Sequence, residues 1–173
     1  MDNWYMLTVV GQDRPGIVAH LTRALFDAGA NLGEAAMARL GGNFTIMLMV
    51  NYAGKAKALT DVVEPVVDSM DLRAHVDPIE GRLHEHLSRD VRISVYGADR
   101  AGIVAKVTGT LAETGLHILD LESDVAGSAE APIYVMHIEG HAAHGIEVLR
   151  SALGILAAEG IDAHLEPIDT LIG

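Results

Sequence analysis

Asp13, Arg14, Pro15 and Gly16 stand together between two stretches of different pattern. Ahead of them runs an apolar strand-like segment, residues 5–11. Behind them Ile17, Leu21, Ala24, Leu25 and Ala28 recur at helical spacing. A turn between a strand and a helix N-terminus has chemical use. Its free backbone N–H groups and the positive end of the helix attract a carboxylate. Gly16 lets a ligand approach the backbone closely. Asp13 can accept hydrogen bonds from an ammonium group, and Asn31, opening the next strand, carries both donor and acceptor groups. A free amino acid bears ammonium and carboxylate together, so this loop suits one. The same residues have a purely structural reading: Asp13 and Pro15 start the helix and Gly16 packs it tightly. The residue types alone leave both open.

Other chemistry is thin. The absence of cysteine removes disulfides, thiolate nucleophiles, iron–sulfur clusters and Cys-zinc sites together. There are nine histidines. His84 and His86 flank Glu85, and His141 and His144 flank two alanines, but no third or fourth ligand stands at informative spacing. No metal site and no cofactor are expected. His137 lies in an apolar strand pattern and reads as a satisfied core residue. Met37, Met47, Met49 and Met136 read as packing. Nucleophile elbow, P-loop, dinucleotide fingerprint and paired carboxylates are all absent.

The elements that position this loop come twice. Residues 7–35 and 93–121 align with an offset of 86, and eleven of 29 positions are identical, among them Gly11/Gly97, Asp13/Asp99, Arg14/Arg100, Gly16/Gly102 and Gly29/Gly115. RAHVDPI at 73–79 matches DAHLEPI at 162–168 with an offset of 89. The second copy therefore has about three extra residues, expected around Gly127 to Pro132, where Gly, Ser and Pro gather.

Each copy reads as strand, helix, two strands, helix, strand. In the first copy these are a strand at 5–11, a helix starting at Pro15 and ending at Gly29, strands at 31–39 and 43–51 around Gly41-Gly42, a helix along Leu59 to Met70, and a strand at 72–78. Pro65 should kink the second helix or mark its start. The second copy repeats the order near 91–97, 102–115, 117–125, 132–139, 144–159 and 161–167. The pattern is α+β: two tandem ferredoxin-like βαββαβ units, each a four-stranded antiparallel sheet with helices on one face. The first unit is expected at 1–80, a polar linker at 81–90 and the second unit at 91–173. The strands look apolar on both faces, so the face without helices should need a cover from the other repeat, another chain, or both.

Net charge is −12, and from residue 114 onward Arg150 is the only Lys or Arg against ten Asp and Glu. DNA affinity comes largely from cations that displace counterions. Direct nucleic-acid binding is not expected, and any role in transcription would run through a small molecule or another protein. No apolar run reaches the roughly 18 residues of a membrane helix, and the start Met-Asp-Asn-Trp-Tyr lacks a secretory signal's basic residues. The expected location is cytoplasmic.

DRPGIV after an apolar strand, with GANL following at 29–32, resembles the ACT domain, and the resemblance spans both copies. With LGGNFT in the first hairpin, the chain is most similar to the glycine cleavage system transcriptional repressor group. The resemblance implies a small amino acid ligand such as glycine or serine, held at an interface between ACT units. It implicates Gly11, Gln12, Asp13, Arg14, Gly16 and Asn31. A weaker second site would use Asp99, Arg100, Gly102 and His117, with Ala101 in place of the proline and His117 in place of the asparagine. It further implies a chain that acts on a partner regulatory protein and is not an enzyme, while the strands apolar on both faces point to a homo-oligomer. Two alternatives stand beside it: part of an ACT-containing enzyme of the formyltetrahydrofolate deformylase or phosphoserine phosphatase type, or an oligomerisation module without ligand. The second unit's last strand is expected just before Gly173, leaving no room for a catalytic domain and favouring the regulatory reading.

Overall fold

A computed structural model describes residues 3–80, 87–98 and 102–168. The chain divides into two compact units, Met1–His84 and Glu85–Gly173.

The first unit contains β1 (Asn3–Gln12), α1 (Ile17–Asp27), β2 (Asn31–Leu40), β3 (Asn43–Tyr52), α2 (Ala56–Ser69) and β4 (Leu72–Pro78). Its sheet has the order β2-β3-β1-β4, antiparallel throughout. Alternation decides what each strand buries: Tyr5, Leu7 and Val9 of β1, with Phe44, Ile46, Leu48 and Val50 of β3, point into the core. Ile17, Leu21 and Leu25 of α1 and Leu59, Val63 and Val67 of α2 close it from above. Gly29, at φ 76°, ends α1, and the Ala30 N–H returns to the Leu25 carbonyl at 3.0 Å. Gly41 and Gly42, both at positive φ, turn β2 into β3. Helix α2 runs through Pro65, which therefore does not mark its start.

The second unit repeats the plan with β5 (Val91–Ala98), α3 (Ile103–Glu113), β6 (Leu116–Ser128), β7 (Ala131–Ala142), α4 (Ile146–Ala158) and β8 (Asp162–Pro167), ordered β6-β7-β5-β8. Val91, Ile93, Val95, Met136 and Ile138 pack beneath Val107, Leu111, Leu149 and Leu156. The extra residues lengthen the β6–β7 hairpin, as expected, and Gly127 takes φ 89° at its tip.

The helix-free sheet faces differ between units. In the first, Met6, Thr8, Val10 and Met47 share that face with Arg73, His75 and Asp77. In the second it is polar: Arg92, Ser94, Tyr96, His137, Glu139, His164 and Glu166. The expectation of strands apolar on both faces thus fails for the second unit. His137 is exposed there, its Nδ1 3.1 Å from the Ser94 hydroxyl, because its neighbours Met136 and Ile138 take the core positions. It is not the core histidine expected. Met49 and Met136 are buried, whereas Met37 and Met47 are exposed.

Candidate functional site

The loop after β1 is held from two sides. The Asp13 N–H donates to the Gly42 carbonyl at 3.0 Å, tying the loop to the hairpin tip. The Asp13 carboxylate forms an ion pair with the Arg39 guanidinium. Strand pairing explains why they meet: Gly11, Phe44 and Arg39 form one row across β1, β3 and β2. Two residues beyond Gly11, Asp13 comes level with the end of that row.

The structural reading of the loop needs revision. Asp13 does not cap α1, and no side chain does. Gly16 is the cap, at φ 91°, and its carbonyl accepts the His20 N–H at 2.9 Å and lies 2.7 Å from His20 Nδ1. Pro15 precedes the helix instead of starting it, because the chain must pass through the left-handed region at Gly16 before helical geometry begins. Gly11 has a packing role: a Cβ there would lie 2.6 Å from Leu72 Cδ2 and 3.2 Å from Leu72 Cα. Gln12 and Arg14 reach toward each other at 3.4 Å.

Around this loop lies an open cleft of about 610 Å³. It is lined by Asp13, Arg14, Pro15 and Gly16 of the loop, by Ile17, Val18 and Ala19 at the floor in the first turn of α1, and by Met37, Arg39 and Phe44 of the hairpin. First-turn amides have no partner within their helix, so the floor presents donors to an anion. Sequence reasoning missed Met37, Arg39 and Phe44. Part of the signal was available: Arg39 stands two positions before Gly41-Gly42, so a tight hairpin sets it opposite Phe44, and the β1–β3 register then brings that pair level with Gly11.

Asn31 lies elsewhere. It pairs with Asn51, which pairs with Trp4, at the opposite end of the sheet. Seven residue steps along β3, from Phe44 to Asn51, separate this row from that of Arg39, about 23 Å at strand rise. Within one unit, then, the six expected residues do not converge: five gather around the loop and one stands at the far end.

In the second unit Gly102 repeats the cap of Gly16 at φ 88°, and its carbonyl accepts the Lys106 N–H at 2.9 Å. Asp99 and Arg100 lie outside the described residues. His117 is exposed and pairs across the strands with His141, whose Nδ1 is 2.9 Å from Asp90 Oδ2. His84 and His86 also lie outside the described residues. Among those described, no three His, Asp or Glu side chains are placed to hold a metal ion. Side-chain hydrogen bonds from Arg92 and then Arg89 hold the Glu139 carboxyl below its usual range. No helix among the described residues is long and apolar enough to cross a membrane.

The ACT domain family model matches residues 5–77 and 89–159. The chain is similar to the glycine cleavage system transcriptional repressors of Escherichia coli K12 and Shigella flexneri. Each is 24% identical over 138 residues, spanning 79% of this chain and 73% of the relative. Among solved structures, a protein of unknown function from Galdieria sulphuraria superposes with a TM-score of 0.79 at 27% identity, covering 97% of this chain and 99% of that one. A structure assigned as a glycine cleavage system transcriptional repressor superposes at 0.73 with 18% identity, covering 97% and 98%, and shares the fold.

Proposed function

This chain belongs to the ACT domain family, and from that membership we propose that it is a regulatory protein that binds a small free amino acid and alters the activity of a partner regulatory protein. The observation that carries this reading is the cleft beside Asp13, where a carboxylate, a guanidinium and the N-terminal amides of α1 come together. Its charges match both ends of a free amino acid. Similarity to the glycine cleavage system repressors supports a place in transcriptional control of glycine and one-carbon metabolism.

The protein acts without catalysing a reaction and without touching DNA itself. Net charge of −12 supports the second point. The working form is a cytoplasmic homo-oligomer. Strand β2 is exposed along its whole length, a free edge able to pair with another strand. The separation of Asn31 from Asp13 supports the same view, since an Asn31 side chain reaches a ligand at the loop only from a second copy. In the second unit the residues Asp99, Arg100, Gly102 and His117 form a weaker site.

Calorimetric titration of the purified chain with each of the twenty amino acids tests the reading. At least one should bind, and Asp13→Ala should weaken it. If none binds at millimolar concentration, the chain is an oligomerisation module and the sensing role falls.

A further inference from the structure

We propose that the cleft selects an amino acid with an apolar side chain, and that Arg39, not only the loop, receives its carboxylate. This rests on the amino-acid-sensing reading above and narrows its ligand class.

Without ligand, Asp13 and Arg39 satisfy each other. The guanidinium side chain is 68% exposed and the carboxylate 23%. An ion pair this open to solvent is weak, so its exchange for other partners is easy. A free amino acid carries an ammonium and a carboxylate group on one carbon. It can replace each half of the pair with its own complement: ammonium on Asp13, carboxylate on the planar fork of Arg39, with the first-turn amides of α1 beside it. No charge is stranded before or after the exchange.

The remaining walls decide the side chain. Apart from Asp13, Arg14 and Arg39, every residue lining the cleft is apolar or glycine. Val18 and Met37 are 40% and 57% exposed, and the buried Phe44 lines the cleft beside them. A ligand side chain resting on Val18 and Met37 removes apolar surface from water, and an unbranched methionine adapts to its shape. A serine hydroxyl gains less there, and glycine leaves those walls exposed.

The second unit lacks this arrangement. Its row corresponding to Gly11, Phe44 and Arg39 is Gly97, Tyr134 and Val125. With valine in the place of Arg39, that row carries no cation to take a carboxylate. The exchange with an Asp–Arg pair therefore belongs to the first unit, and the second unit's site is the weaker one.

Calorimetry on the full chain tests this with glycine, L-serine, L-valine, L-leucine, 3-methylbutanoate and 2-methylpropylamine. Valine or leucine should bind at one tight site per chain, at least tenfold more tightly than serine or glycine. The butanoate lacks the ammonium and the amine lacks the carboxylate, so neither should bind measurably. Arg39→Gln should weaken the best ligand at least tenfold, and Arg39→Lys should recover part of the loss. Circular dichroism melts confirm that both variants fold. Serine or glycine binding more tightly than valine and leucine overturns the apolar selection. Unchanged affinity in Arg39→Gln removes Arg39 from the site while leaving amino-acid sensing intact. No binding by any amino acid removes both readings together.

Discussion

Asp13 and Asn31 occupy opposite ends of the first unit, Asp13 hung from the hairpin tip at Gly42 and Asn31 in the row of Asn51 and Trp4. Both ends of β2 lie on an exposed edge. If a two-fold pairing of copies sets the loop of one against the strand start of the other, the two residues belong to one site on different chains. Asp13→Ala and Asn31→Ala should each weaken ligand binding by about 1–3 kcal/mol, with little effect on folding. Mixed in equal amounts and allowed to exchange, they should regain tight binding at about a quarter of the sites, because each mixed pair holds one intact site. Titration of the mixture counts them. No recovery would remove one of the two residues from the site.

Gly11 and Gly16 are held for different reasons. A Cβ at position 11 presses on Leu72, including its backbone, so Gly11→Ala should cost about 1–3 kcal/mol by overpacking. Gly16→Ala puts a side chain at φ 91°, costing about 1–2 kcal/mol of backbone strain. Gly16→Val adds bulk at the mouth of the cleft and should lose ligand as well. Urea unfolding of each variant, beside titration, separates the two effects. Gly11→Ala as stable as the parent would show that β4 yields at Leu72.

The acidic surface leads to a negative expectation. Purified protein alone should leave a promoter fragment unshifted in a gel at physiological salt, because its −12 charge opposes the phosphate backbone. A sequence-specific, salt-sensitive shift would reverse this and assign the chain a direct role on DNA.

Much of the architecture was legible in the sequence because it is locally encoded. Ile17, Leu21 and Leu25 announce α1 by spacing, Gly29 ends it, and Gly41-Gly42 sets the hairpin. The repeat at an offset of 86 carries the same reading to the second unit. Pro15 misled because a helix-starting proline and a proline one step before a left-handed glycine look alike without backbone angles. His137 misled because an apolar strand pattern does not tell which alternate positions face the helices. The cleft was half legible. Its loop is a continuous motif, whereas Arg39 and Met37 arrive through strand register, which joins residues far apart in the chain.

Glu139 offers a test by pH. Arg92 and Arg89 both donate to its carboxylate, at 2.6 Å each, and hold its pKa below the ordinary value. A carboxyl with a lowered folded-state pKa stabilises the fold above its unfolded pKa, about 4.3. That contribution is lost as pH falls through the folded value. Glu139→Gln should therefore be less stable than the parent at pH 7, where the charged pair is intact. The gap should narrow below about pH 4, as the parent's own carboxyl takes up its proton. Denaturant unfolding of both proteins at pH 7, 5, 4 and 3 measures it. A gap independent of pH would mean that Glu139 contributes by shape and neutral hydrogen bonding, with no share from its charge.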